Sequence, residues 1–368
     1  MSEVEHDAEC ALAIVGAGVV GCALAWRSAS LLGPQRVVLL EQAEREGTGV
    51  SSRNSGVVHA GLYYTPGSLK ARACVEGNAR TWAWVSEHAV GHRRTGKLVI
   101  ARDEAELAAL VHLYVNARAC GAELEIIDPA RARALEPLLD GPLSAVLWSP
   151  RSGIVDAHGF VRSLRHAAER AGAATLFGAH VSQLEPCAGG FSLTTTRGRL
   201  LAERVINAAG LHADTLAAML GHARAIIPAR GDYFRLRRPR PYQRLIYPVQ
   251  VPGSPSLGVH LTLELDGGCR LGPDLDWACS KDDFGPAQGQ AKSERFRVAA
   301  ERLLGPLDAD AIVYDGCGIR PKLVGPGVPA ADFELVEQPS GALHLLGIES
   351  PGLTAALALA EHVVTKLG

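Results

Sequence analysis

The sequence predicts a two-domain α/β chain: a domain of parallel strands built around a glycine-rich turn, and a smaller α+β domain that is mostly antiparallel sheet. Three observations predict it. Residues 11–41 spell strand, helix and strand around Gly16-Ala17-Gly18-Val19-Val20-Gly21, the unit from which doubly wound sheets are made. Short apolar runs closed by glycine return at 205–209 and 343–347, so the first domain is assembled from separated stretches of chain. Residues 226–319 are strand-like and broken by Pro and Gly, the pattern of antiparallel sheet.

Taken in order, residues 11–15 are an apolar run that ends in glycine, as a buried parallel strand does. Residues 19–32 are rich in Ala and Leu and stop at Gly33-Pro34, which predicts a helix, and the β-branched run 36–41 predicts a second strand. Helical spacing reappears at 160–171, and Thr175, Phe177, His180 and Val181 suit strands returning to the sheet. Residues 354–367 read as an amphipathic helix after Pro351-Gly352. The insert at 91–150 carries a strand at 97–101 and a helix at 104–120, and the insert at 226–319 carries strands at 231–236, 257–265 and 270–272. The expected division is 1–90, 151–225 and 320–368 for a cofactor domain, with 91–150 and 226–319 for a substrate domain.

Composition narrows the function. A length of 368 residues suits two cores, and 47% hydrophobic with 21% charged residues is the make-up of a folded, soluble chain. A net charge of −2 gives no field to attract nucleic acid. Arg230 and the run Arg235, Arg237 and Arg238 read as a solvated strand edge. The eight cysteines contain no Cys-x-x-Cys pair and no histidine at metal-ligand spacing, so reduced thiols and no metal are expected. Residues 10–26 are uncharged and apolar, but acids precede them and the glycines of a nucleotide-binding turn interrupt them. They are expected to be neither a signal peptide nor a membrane span, and the protein is expected in the cytoplasm.

The glycine turn carries the first chemistry. Gly16 permits the tight turn, Gly18 lets a pyrophosphate approach the backbone, Gly21 lets the helix pack on the strand, and Val19 and Val20 open that helix. Glu41, 20 residues after Gly21, ends the second strand where a carboxylate accepts ribose hydroxyls and repels a 2′-phosphate. The motif alone fits NAD and FAD equally. Ser51-Ser52-Arg53-Asn54-Ser55-Gly56 supplies small donors for phosphate and flavin, and Gly347-Ile348-Glu349-Ser350-Pro351-Gly352-Leu353-Thr354 is a turn feeding a helix whose N–H groups suit a flavin carbonyl. These two segments favour FAD.

With those pieces the chain resembles the D-amino-acid-oxidase-like superfamily of FAD-dependent oxidoreductases over nearly its whole length, which implies a Rossmann-like FAD-binding domain. Within it, Ser55-Gly56-Val57-Val58-His59-Ala60-Gly61-Leu62-Tyr63-Tyr64, then Pro66-Gly67-Ser68-Leu69-Lys70-Ala71 and Glu349-Ser350-Pro351-Gly352-Leu353-Thr354, are similar to the L-2-hydroxyglutarate dehydrogenase/oxidase group. The resemblance implies that Val181 meets the adenine through its backbone and that Asn207-Ala208-Ala209-Gly210 passes close to the dinucleotide. Cofactor contacts are further expected at Gln42, Ser51, Ser52, Asn54, Ser55, Gly56, Val58, Gly318, Ser350, Pro351, Gly352, Leu353 and Thr354. No Cys lies in the last turn, so the FAD is expected to be non-covalent.

Oxidising a 2-hydroxy acid requires a hydride acceptor, a base for the hydroxyl proton and cations for the carboxylate. His59 and His260 are the candidate bases. Arg320 and Lys322 are the candidate carboxylate ligands, and Tyr64 and Lys70 candidate pocket residues. The expected partner is a small carboxylate substrate, the final acceptor being oxygen or a quinone chain, with peripheral membrane contact left open. A flavin amine oxidase of the glycine or sarcosine type and a non-catalytic flavoprotein binding module are the alternatives, with an NAD-only dehydrogenase further back.

Overall fold

A computed structural model describes residues 6–250, 258–277, 280–286 and 290–367. It contains two compact units: Met1–Ser52, Ala157–Pro228 and Arg320–Gly368 form the first, Arg53–Asp156 and Ala229–Ile319 the second.

The first unit is the parallel domain. Strand Ala8–Val15 is flanked by Val37–Leu40 and Gly198–Asn207, with Ala174–Leu176 beyond the former and Ala342–Leu346 beyond the latter, every pair parallel. Parallel strands are buried on both faces, and Leu12, Ala13 and Ile14 are almost wholly covered. On one face lie helices Val19–Leu32, Ala157–Arg170 and Gly352–Leu367. The Arg27 guanidinium grips the Glu361 carboxylate with two hydrogen bonds of 2.7 and 3.0 Å, joining the first of these helices to the last. The antiparallel hairpin Val181–Cys187 and Gly190–Thr195 continues the same sheet, its second strand pairing antiparallel with Gly198–Asn207, and its Leu184, Phe191 and Leu193 share an apolar cluster with Leu216 and Leu220. Each such side chain contributes roughly 1.5–3 kcal/mol by leaving water.

The second unit holds an eight-stranded sheet, in the order Ile312–Lys322, Ile227–Leu236, Cys269–Leu271, Leu261–Leu263, Leu245–Pro248, Lys97–Ala101, Ala145–Ser149, Glu125–Ile127. The two inserts join through one parallel pair, Leu245–Pro248 against Lys97–Ala101, and helices Glu104–Ala119 and Gln290–Leu304 pack on the sheet. Asp232, fully buried, is held by Arg230 at 2.8 Å, by Lys292 and by the Tyr314 hydroxyl. Arg230 and Arg235 are thus not a free basic edge. Arg235 pairs with Glu264 and Asp266, while Arg237 and Arg238 are exposed.

Two differences from expectation have physical causes. The units part at Ser52/Arg53 rather than near residue 90. Strand Val57–Val58 pairs with Gly153–Val155, and Asn78 on helix Leu69–Glu87 donates to the carbonyls of His59 and Arg151, so 53–90 belongs with the second unit. The strand expected at 257–265 is shorter, Leu261–Leu263, and residues 251–257 lie outside the described residues.

Candidate functional site

Adjacent parallel strands of the first unit end at Val15, Asn207 and Leu346, so the turns that follow leave the sheet at its carboxyl edge, where such sheets bind ligands. In the first turn Gly16 has φ +107°, and a side chain there would meet the Ala208 carbonyl at 2.6 Å. At Gly21 an added Cβ would lie 1.8 Å from the Gly16 carbonyl oxygen. Gly18 caps helix Val19–Leu32 with no side-chain acceptor and no acid in the first turn, which leaves the positive helix end for another anion. The Val19 N–H donates to Ser51 Oγ at 2.9 Å, while Val20 is buried.

Glu41 is tied into the same turn. Its Oε2 accepts from the Ala17 N–H at 2.8 Å and its Oε1 from the Ala43 N–H at 3.0 Å. Each oxygen keeps lone-pair capacity for a ribose hydroxyl. Exposed Gln42 pairs with His180 Nδ1 at 3.1 Å, and Ser52 donates to the Gly49 carbonyl. Val181 stands opposite Thr195 in the hairpin.

The second turn is fixed by two residues that sequence reasoning missed or left unassigned. Asn207 Nδ2 donates to the Ala213 carbonyl at 2.7 Å and lies 3.0 Å from His344 Nδ1, while Asn207 Oδ1 accepts from the Ala209 N–H. His344 Nε2 is 2.9 Å from the Gln338 carbonyl, which can only accept, so Nε2 carries the proton and Nδ1 accepts from Asn207. Burial pushes the His344 pKa down, in keeping with a neutral ring. Ala208 donates to Val15, and Gly210 begins a short 3-10 turn at φ +58°. In the third turn Ser350 is exposed, Leu353 half-buried, and Pro351, Gly352 and Thr354 buried at the start of Gly352–Leu367, whose first turn also lacks an acid. Glycine-lined backbone, two acid-free helix ends and a positioned carboxylate fit a pyrophosphate-linked dinucleotide.

Lys322 differs from expectation. Its Nζ lies 2.9 and 3.1 Å from the two oxygens of Glu349, so its charge is matched within the protein. Arg320 is half-buried on the same strand.

The second unit holds the other candidates. Asn54 Oδ1 accepts from the Gly56 N–H, and Ser55 Oγ donates to the Tyr233 hydroxyl at 3.2 Å. Gly56, at φ +62°, runs against the Val155 carbonyl, and Gly318 lies where a Cβ would be 2.0 Å from the Arg53 oxygen. Backbone packing thus accounts for both glycines. Val58 is fully buried, Tyr64 is half-buried with its carbonyl held by Asn116, and Lys70 is 7% exposed on helix Leu69–Glu87.

His59 and His260 belong to one cluster. The His59 backbone is pinned by Asn78, 2.8 Å from its carbonyl. Its imidazole is held well below the usual range, first by burial, then by the charges of Lys97 and His260. The His260 ring stacks on Tyr247 at 3.9 Å, and its Nδ1 is 3.0 Å from the Gly258 carbonyl. That carbonyl requires a proton on Nδ1, leaving Nε2 the lone-pair nitrogen of the neutral ring. Lys97, fully buried, places Nζ 4.0 Å from the Tyr247 ring centre, and burial pushes its ammonium down to about 7.

Comparison with known proteins identifies FAD as the cofactor. The family of FAD dependent oxidoreductases matches residues 11–366. This chain is an FAD-dependent oxidoreductase of that family. The oxidoreductase is 35% identical over 405 aligned positions to the mitochondrial L-2-hydroxyglutarate dehydrogenase of Arabidopsis thaliana, covering 96% of this chain and 82% of that one. It is 32% identical to the L-2-hydroxyglutarate dehydrogenase of Salmonella houtenae, covering 96% and 92%. In fold it is similar to the L-alpha-glycerophosphate oxidase of Mycoplasma pneumoniae, with a TM-score of 0.87 at 22% identity over 98% of this chain and 94% of that one. Glycine oxidase of Geobacillus kaustophilus gives 0.82 at 23% with the same coverage. Among the described residues of this flavoenzyme no helix is long and apolar enough to cross a membrane.

Proposed function

We propose that this enzyme oxidises L-2-hydroxyglutarate to the 2-oxo acid, with His59 as the proton acceptor and Arg320 as a carboxylate ligand. The observation that carries this reading is the near-full-length similarity to dehydrogenases named for that substrate, together with a histidine kept in its base form.

Bound FAD supplies the hydride acceptor, flavin N5. The protein's own part is positioning and proton transfer. With FAD bound, the Gly18 helix end and Ser51 would hold the pyrophosphate, and Glu41 would accept from the ribose hydroxyls. His59, neutral because burial disfavours imidazolium, accepts the hydroxyl proton, while Asn78 fixes the backbone that presents it. His260, Tyr64 and Lys70 complete the substrate side. Lys322 is engaged by Glu349, so Arg320 is the stronger cation of that pair for a carboxylate. A cytoplasmic location stays part of the proposal.

Anaerobic mixing tests it. L-2-hydroxyglutarate bleaches the flavin absorbance of the purified protein and sarcosine does not. Bleaching by sarcosine without bleaching by any 2-hydroxy acid assigns the chain to amine oxidation, and no bleaching by either class assigns it a binding role.

A further inference from the structure

Lys97 is the least explained charge in the molecule. It opens strand Lys97–Ala101, whose five residues are all buried, and its Nζ is buried with no hydrogen-bond partner among the described residues. A buried ammonium is costly unless paired, yet what surrounds this one is aromatic. Tyr247 lies beneath it at 4.0 Å and Tyr63 at 5.6 Å. The parallel register sets Lys97 beside Leu245 and Val99 beside Tyr247, so Lys97 and Tyr247 share a face of the sheet. Tyr247 in turn stacks on His260.

Among the described residues, the groups facing Lys97 Nζ are aromatic rings and a thiol. From helix Leu69–Glu87 comes Cys74, whose thiol burial pushes up to about 12. From the segment after His59 comes Tyr63, and from strand Leu245–Pro248 comes Tyr247, both raised above the ordinary phenol range by burial. All three stay neutral at working pH. Charge in this cluster is therefore carried by Lys97 or by the histidines, and one proton on any of them opposes a second nearby.

We propose that Lys97 is a positioning residue that takes the first proton this cluster binds as pH falls and thereby keeps His59 unprotonated and ready to accept the substrate's. The inference rests on His59 as the base of the proposed reaction. It adds a second role to the same charge: a cation set among aromatic rings suits a substrate that brings carboxylates with it.

The test reads the His59 ring directly. In FAD-loaded protein with isotope-labelled histidine, the His59 signal is identified by its loss in His59→Asn, and its titration midpoint is followed by NMR. Lys97→Met moves that midpoint to higher pH, and Lys97→Arg, which keeps the charge, leaves it low. In turnover with L-2-hydroxyglutarate, the acid limb of kcat/KM for Lys97→Met moves up with the ring. Lys97→Gln makes the same comparison if the Met variant does not fold. An unmoved His59 midpoint in the uncharged variant overturns the proposal. The ring titration needs no turnover, so a wild-type protein that leaves L-2-hydroxyglutarate unoxidised refutes the substrate assignment while the NMR comparison still decides Lys97.

Discussion

Glu41 Oε2 accepts a hydrogen bond from the Ala17 N–H at 2.8 Å, so the acid proposed for the ribose also holds the glycine turn. Glu41→Ala leaves the Ala17 and Ala43 donors unmet, which costs about 1–3 kcal/mol each where no water replaces the acceptor. The melting temperature of the apoprotein falls as well as FAD affinity. A variant that loses flavin with an unchanged apoprotein melt would confine Glu41 to the cofactor.

The three glycines are not equivalent. Gly18→Ala brings a methyl to 3.0 Å from Ser51 Oγ, a side chain that can turn aside, while Gly21→Ala collides with the Gly16 backbone at 1.8 Å. Flavin retained through gel filtration is expected to fall further for Gly21→Ala than for Gly18→Ala. Equal retention would mean that the helix start shifts freely.

The Lys322–Glu349 pair, with side chains 16% and 10% exposed, is expected to act as a unit. Removing one partner strands a largely buried charge. A double-mutant cycle of Lys322→Met and Glu349→Gln by thermal melting should give a coupling of about 0.5–3 kcal/mol. Additive effects would show that the pair is decorative. Arg320→Met should act instead on KM for the dicarboxylate.

His59→Asn should lower kcat/KM by about 10²–10⁴-fold, the usual contribution of a general base, in protein that stays yellow. With its pKa below the usual imidazole range, the wild-type acid limb falls below about pH 6.5. A limb above that value contradicts a half-buried neutral base.

Lys97 also predicts a stability slope. Its pKa is about 7 folded against an ordinary lysine's 10.5, so between those values the unfolded chain binds a proton that the folded chain does not. Stability from this group therefore rises with pH through that window and is lost as pH falls toward 7. Between about pH 7 and 8.5, before cysteines ionise in the unfolded chain, the melting temperature should climb more steeply in the wild type than in Lys97→Met. The Met variant should also be the more stable at neutral pH, having no unpaired buried charge to desolvate. A parallel pair of curves would place the Lys97 amine in contact with water.

What was legible in the sequence was local. The helix expected at 19–32 and the strand at 97–101 have those limits in the structure, because β-branched runs, Ala-rich stretches and Gly-Pro stops act within a few residues. FAD as the cofactor was readable for the same reason, the glycines and the acid lying at fixed spacing along the chain. The boundary at Ser52/Arg53 was not, since it is set by pairing of Val57–Val58 with a strand some hundred residues later. Nor was Lys97 legible as anything but the start of a strand, because its burial depends on Tyr63 and Tyr247 arriving from elsewhere. The engagement of Lys322 by Glu349 likewise joins two segments whose separate motifs suggested separate tasks.

The clamp between Arg27 and Glu361 spans 334 positions, and it dates the assembly of the parallel domain. Strand Ala342–Leu346 and helix Gly352–Leu367 leave the ribosome about 300 residues after the glycine turn, which waits through all that intervening synthesis for its neighbours. The second unit is translated in full before then. Yellow colour in a nascent chain is therefore expected only after Gly352–Leu367 has emerged, and a chain halted before Ala342 should expose the apolar faces of Val19–Leu32 to chaperones rather than to flavin.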